Sequence, residues 1–421
     1  MPPCFNDSLR PVKPFSLAAV LFLAGLAWGW PNQAGAADIL RLGFVTSQSD
    51  VAAHRGQDFL EGFKLGLRML GGRLGGVETD LAVIDDVSRP QTAAQAARKL
   101  VEREHVQIIS GPVLPQTALA VAEAVKGENG PLFVSPAFGP VSLAGADCRQ
   151  GFFSLVPSDE VIAEATARQM KGEMPLPMAA ALIPKKSERE RRQAESLRPH
   201  FSGLTILETG PGDLVFDHPL QALQASKAQA VAVYLGGGVG IGFLRQLKAW
   251  ELNKDKTIYA DWPLMEPLHL TAAGDAGIGL KTVAPWADDP ENAVNHRFVA
   301  DYEDEHRRQP SGFAALGYDL ALLLDQAVKN MGGRLGERTQ FARALANSQL
   351  QGTRGPIRFA NNHFALTPLH LREGMRDAKG RLIAAHRGAV VNPADRHAGA
   401  CRLSPPEPPP AEEASPPKKK R

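Results

Sequence analysis

From Ile39 onward the chain repeats one alternation, and that alternation limits its fold more than any single motif. Ile39–Val45 reads as a strand, and residues 56–70 as a helix with Phe59, Phe63, Leu67 and Leu70 at helical spacing. Leu81–Ile84 is a second strand ending in Asp85-Asp86, and 91–104 is an Ala-rich helix that Pro90 is placed to begin. Val106–Ser110 is a third strand, broken by Gly111 and Pro112, and the helix 116–125 follows. A second series comes after it. Helices are expected over 161–171, 188–197, 219–226 and 240–250, with strands at 178–183, 204–207, 231–234 and 257–260 between them. Strands and helices alternating at this spacing predict an α/β fold with parallel sheets and helices on both faces. Past Thr282 the helices 292–306, 311–331 and 338–346 have few strands between them. They cannot form a third sheet alone, so they are expected to return to two lobes joined by several crossings.

One strand of the first series ends abruptly. Leu132-Phe133-Val134-Ser135 reads as buried, and Pro136, Gly139 and Pro140 forbid its continuation. In an open parallel sheet the loops at the carboxyl ends of strands line the ligand crevice, so Ser135 to Gly139 is expected to wall a small-molecule cleft. A Pro-rich surface turn is the competing account of the same residues.

The termini are of a different kind. Arg10 and Lys13 precede an apolar run from Phe15 to Trp30 that is short for a membrane span, and Ala34-Gly35-Ala36 follows. Residues 1–36 are therefore expected to be a cleaved signal peptide, which sends a soluble mature protein to the periplasm. Residues 403–421 are Pro-, Glu- and Ala-rich, close on Lys418-Lys419-Lys420-Arg421, and are expected to be disordered. With 47 Lys and Arg against 45 Asp and Glu, the charge gives no reason to expect a nucleic-acid partner. After cleavage only Cys148 and Cys401 remain; an exported pair is consistent with one disulfide, and two unpaired buried thiols would fit as well.

Catalytic patterns are absent. Gly236 to Gly242 never satisfies G-x-G-x-x-G, because Ile241 or Phe243 stands at the third glycine position, and reads as a tight strand-to-helix turn. No phosphate loop, H-E-x-x-H or G-x-S-x-G occurs, and the 11 histidines lack metal-ligand spacing. Asp85-Asp86, acids that follow a strand, suit capping a helix or solvating a loop better than acid–base work. No enzyme activity, cofactor or metal is expected.

In this order the elements resemble the type I periplasmic solute-binding proteins of ABC transporters, the leucine/isoleucine/valine-binding group, from about Ile39 to Cys401. The resemblance is carried by Gly62-Phe63-Lys64-Leu65-Gly66-Leu67, Gly71-Gly72-Arg73-Leu74-Gly75-Gly76, Asp85-Asp86 with Pro90, Phe133-Val134-Ser135-Pro136, Leu143-Ala144-Gly145 and Gly317-Tyr318-Asp319. Leu143-Ala144-Gly145 with Cys148, the Gly236–Phe243 turn and Cys401 are most similar to the branch that binds aromatic carboxylates. The resemblance implies two Rossmann-like lobes with parallel sheets and three crossovers, near Val156, Val283 and Pro356. Lobe I would be 37–156 plus 284–355, and lobe II 157–283 plus 356–402. It also implies a Cys148–Cys401 disulfide, a small-molecule ligand between the lobes, ABC permease subunits as partners, and a monomer.

Carried over residue by residue, the binding positions fall on Gln116 and Thr117, with Pro115 unable to donate, and on Ser135, Ala137 and Phe138. Lys185 to Arg189 replaces the aromatic residue usual in lobe II. Phe138 with Trp262 across the cleft would suit a flat apolar ligand, and His54 or Arg55 would pair with its carboxylate. The expected function is capture of a small organic anion, an aromatic carboxylate above all, for an ABC importer. Its alternatives are a branched-chain amino acid or amide as ligand, or a sensing module that docks a signalling partner.

Overall fold

A computed structural model describes residues 39–127, 129–137, 141–174, 178–210, 212–288 and 291–403, and builds them around two large sheets. Sheet one holds β1 (Ile39–Thr46), β2 (Arg73–Leu74), β3 (Val77–Asp85), β4 (Ile108–Ser110), β5 (Leu132–Ser135) and β6 (Phe152–Ser154), in the spatial order β2-β3-β1-β4-β5-β6. Sheet two begins with β7 (Met178–Pro184), β8 (Gly203–Thr209), β9 (Ala230–Val233), β10 (Thr257–Ala260) and β11 (Lys281–Ala284). A small sheet of β12 (Leu350–Gly352), β13 (Gly355–Phe359) and β14 (Ala365–Leu366) intervenes. Sheet two then closes with β15 (Leu369–Arg376) and β16 (Leu382–Val390), in the order β16-β15-β11-β10-β9-β7-β8.

The two-lobed α/β architecture is the expected one, with two corrections. The large sheets are mostly rather than wholly parallel, because β2–β3, β11–β15 and β15–β16 pair antiparallel. Strands are also more numerous after Thr282 than the sequence suggests. The β15–β16 hairpin lies at a sheet edge, and the alternate residues that β15 buries after Leu369 are His370, Arg372 and Gly374, so its inward face carries no apolar signal.

Helices Ala53–Met69 and Gly312–Asn330 cross on sheet one with their backbones in contact. A Cβ on Gly62 would stand 1.9 Å from the Ala314 oxygen, and one on Gly317 would stand 2.0 Å from the Phe59 oxygen. Glycine is the one residue that permits this approach, and it lets Phe59 and Phe63 reach Phe44 of β1. Two residues beyond Gly317, Asp319 is fully buried and bonded to Arg354 Nε at 2.7 Å and to the Thr353 amide at 2.7 Å. Arg354 also donates to the Leu155 oxygen. One buried ion pair thus joins the long helix, the β12–β13 turn and the segment leaving sheet one.

The chain leaves sheet one through Leu155–Ser158 into helix Asp159–Glu173, and returns after Ala284 into helix Ala293–His306. The third passage is expected near Pro356 and occurs later. Phe359 packs on Phe153 and Phe364 on Phe152, keeping β13 and β14 with sheet one, and the chain joins sheet two only at Leu369. Nor does the expected lobe II extend to residue 402. Cys401 forms the disulfide with Cys148, Cα atoms 5.5 Å apart, and Asn361 bonds Ala398, so the last described segment lies against sheet one's side. The expected signal peptide and residues 404–421 of the expected tail fall outside the described residues.

Candidate functional site

The carboxyl ends of sheet one are braced before they can bind anything. Asp85 accepts from the Gln48 and Val87 amides, each at 2.9 Å, and from the Ser49 hydroxyl at 2.6 Å. Desolvation pushes its pKa up, but these bonds outweigh it and hold the carboxyl below its ordinary value. Asp86 accepts from the Ser47 hydroxyl at 2.7 Å and the Ser88 amide at 2.8 Å, and burial raises its pKa. The acid pair therefore ties the loop after β1 to the loop after β3. Between those loops the helix Ala53–Met69 is pressed onto the end of β1: a Cβ on Gly56 would lie 1.9 Å from the Ser47 oxygen. That contact sets the direction of His54 and Arg55, which immediately precede it.

Arg55 points into the seam between the two sheets' sides. Its guanidinium carbon lies 5.6 Å from the Phe313 ring centroid, and its Nε is buried with no protein partner. Burial lowers its pKa, Asp261 and Glu266 support the charge, and Arg189 opposes it. These three neighbours all belong to the sheet-two side. Arg189, Tyr234 and Asp261 follow β7, β9 and β10, strands adjacent in the sheet, so they form one carboxyl edge. Asp159 holds Arg189 in a two-pronged pair at 2.8 and 2.9 Å. Burial raises the pKa of Asp261 to about 6, with Arg189 pulling down and Asp159 pushing up. Tyr234 keeps a buried hydroxyl without a protein partner, and burial together with Asp261 raises its pKa. The seam thus offers a cation from one side, and a cation, a carboxyl and a phenol from the other.

Beside it lies an interlobe cavity of about 720 Å³, walled by His54, Asp58, Glu266, Thr271, Arg308 and Ser311 among others. His54 meets His269 edge-on at 4.8 Å, and its Nε2 is buried without a partner. Burial first, then Arg55, His269 and Arg308, lower its pKa to about 3, so it presents a neutral ring. Glu266 separates cavity from seam. Its carboxylate accepts from the Gly312 amide at 2.6 Å and pairs with Arg372 at 3.0 Å.

The Phe313 ring lies against both Arg55 and Trp262, with His54 next to Arg55 in the chain, whereas the described candidates Gln116, Thr117, Ser135 and Ala137 sit after β4 and at or just after the end of β5. Trp262 packs on Phe313 at 4.8 Å and is 1 % exposed, so its ring is enclosed by protein rather than facing an open slot. The Ser135 hydroxyl accepts from the Ala137 amide at 3.2 Å, which makes the turn after β5, and Ala137 is core. Thr117 is buried and donates to the Leu114 oxygen at 2.9 Å, while Gln116 is exposed. Phe138 lies outside the described residues. Sequence reasoning missed Asp261 and Tyr234, although each directly follows a strand, the signal that singled out Ser135. Arg189 was visible only as part of a charged run. Among the described residues no three His, Cys, Asp or Glu side chains gather to hold a metal, and no helix is long and apolar enough to cross a membrane.

Two mostly parallel sheets with a charged seam between their carboxyl ends define a bilobed ligand-binding protein. The chain belongs to the periplasmic binding protein family, whose model matches residues 39–379. A solute-binding protein of an ABC transporter from R. palustris, solved with benzoate, is 25% identical, with a TM-score of 0.76 over 87% of this chain and all (100%) of that one. A second, from Rhodopseudomonas palustris BisB5 with 3,4-dihydroxy benzoic acid, is 20% identical, with a TM-score of 0.74 over 84% of this chain and 99% of that one. The branched-chain amino acid binding protein LivJ of Streptococcus pneumoniae, solved with isoleucine, is 18% identical, with a TM-score of 0.73 over 85% of this chain and 100% of that one. The latter two speak to fold alone. No curated protein matches the chain by sequence.

Proposed function

We propose that this protein captures a small organic anion, an aromatic carboxylate in the first instance, between its lobes and delivers it to the permease of an ABC importer. The observation that carries the ligand class is Arg55, a guanidinium with a buried, unpartnered nitrogen that lies beside the Phe313 ring. A carboxylate there gains a charge-assisted bond in a site screened from water, and a flat ring continues the Phe313 surface. The benzoate complex of the 25% identical R. palustris relative supports the same class. Export through a cleaved N-terminal segment and work as a periplasmic monomer without catalysis complete this reading.

Asp261 favours a second ligand class. A carboxyl beside Arg55 suits a zwitterion, whose ammonium would take Asp261 and whose carboxylate would take Arg55. Calorimetric titration with benzoate, 4-hydroxybenzoate and isoleucine separates the two. Arg55→Gln should weaken an aromatic acid by about 1.5–3 kcal/mol, on the order of 10- to 150-fold, and Asp261→Asn should leave it bound. Binding of isoleucine that Asp261→Asn abolishes selects the zwitterion, and anion affinity indifferent to Arg55 removes the aromatic-acid reading.

A further inference from the structure

The amino ends of β5 and β6 face away from the seam, and a separate cavity of about 180 Å³ opens there. Its walls carry three cations, Lys126, Arg149 and Arg338, with Phe133 and Phe152 beneath. Glu123 answers two of them, Lys126 at 2.9 Å and Arg149 at 2.8 Å, so this one carboxylate leaves positive charge in excess. Arg338 has no hydrogen bond or ion pair among the described residues, and its Nε is buried without a partner.

The position of Arg338 is specified by its neighbour. Its Nη2 lies 1.9 Å from where a Cβ of Gly151 would stand, so any larger residue at 151 would displace the guanidinium from the cavity wall. Arg338 also opens the helix Arg338–Ala346, where the exposed Glu337 at the N-cap makes no side-chain cap bond. A cation at the positive end of a helix is disfavoured, and an anion beside it relieves both charges. Burial alone lowers the Arg338 pKa, as expected of a cation whose environment does not yet balance it.

We propose that this cavity is a second, small-oxyanion site, in which the guanidinium of Arg338 and the cations Arg149 and Lys126 grip a carboxylate or an inorganic phosphate. Guanidinium groups take such planar or tetrahedral oxyanions through paired N–H donors. The volume suits one compact anion rather than an extended chain. The site shares no residue with the seam around Arg55.

Calorimetric titration of the full chain with inorganic phosphate, and separately with benzoate, at constant ionic strength tests it. Saturable phosphate binding should weaken at least 10-fold in Arg338→Gln and be unchanged in Arg55→Gln. A half-exposed Arg changed to Gln leaves the core intact, so the variant remains folded, which its circular dichroism verifies. Gly151→Ala should reproduce the loss by pushing the guanidinium aside. If benzoate fills the same cavity, wild type will show a second benzoate event that Arg338→Gln alone removes. Phosphate affinity equal in wild type and Arg338→Gln, or neither saturable phosphate binding nor an Arg338-dependent benzoate event, overturns the proposal.

Discussion

Glu266→Gln is the sharpest test of the buried ion pair at the lobe boundary. The carboxylate belongs to the segment after β10, yet it accepts from the first amide of helix Gly312–Asn330, which packs on sheet one. It also pairs at 3.0 Å with Arg372 of β15, and the two side chains are 2 % and 4 % exposed. Gln keeps the shape and still offers an oxygen to Gly312, but Arg372 is left charged, buried and without a counter-ion. Removing one partner of such a pair costs about 3–5 kcal/mol. At an unfolding entropy of about 2.1 cal/mol/K per residue, that is a fall in Tm of about 3–6 °C for a chain of this size. Calorimetric scans of the wild type, Glu266→Gln, Arg372→Met and the double variant give the coupling directly. The double variant should regain most of the loss, because no charge is then stranded. A single-variant shift under about 1 °C, or strictly additive losses, would mean that Arg372 is not the counter-ion that holds Glu266 in place beneath Gly312.

Other consequences are as direct. Gly62→Ala should destabilise by about 3 kcal/mol or more, beyond ordinary overpacking, since the added methyl meets the Ala314 carbonyl rather than a movable side chain; denaturant titration reads it. Cys401→Ser, or reduction of the wild type, should lower stability by about 2–5 kcal/mol in a thermal scan, because the bond closes a loop between cysteines 253 positions apart. Burial lowers the His363 pKa to about 4, with its ring stacked on Phe153. Between pH 6.5 and about 4 the unfolded chain binds a proton that the folded chain refuses. Stability should therefore fall as pH falls through that window, by up to about 3 kcal/mol from this group. His363→Gln should flatten the pH dependence seen in urea titrations.

Much of the architecture was legible because it rests on local signals. The alternation from Ile39 specifies strand–helix units, and chain sterics leave such units few ways to pack other than parallel sheets with helices on their faces. Gly62 and Gly317 were visible as motif residues, but that they form a helix crossing was shown only by the packing of the two helices. His54 and Arg55 were visible as the polar pair before the helix after β1, which begins at Ala53 rather than Gly56. What escaped it depends on partners distant in sequence. Whether Trp262 walls a slot or packs in a core was decided by Phe313, and the role of Glu266 by Gly312 and Arg372. The β15–β16 hairpin was hidden because the inward face of β15 carries His370, Arg372 and Gly374, and the third passage because Phe359 and Phe364 hold its approach to sheet one. Sequence determined which segments could be buried; tertiary structure alone decided which charges meet, because a Coulomb pair depends on separation in space and burial, and neither is written in the order of residues.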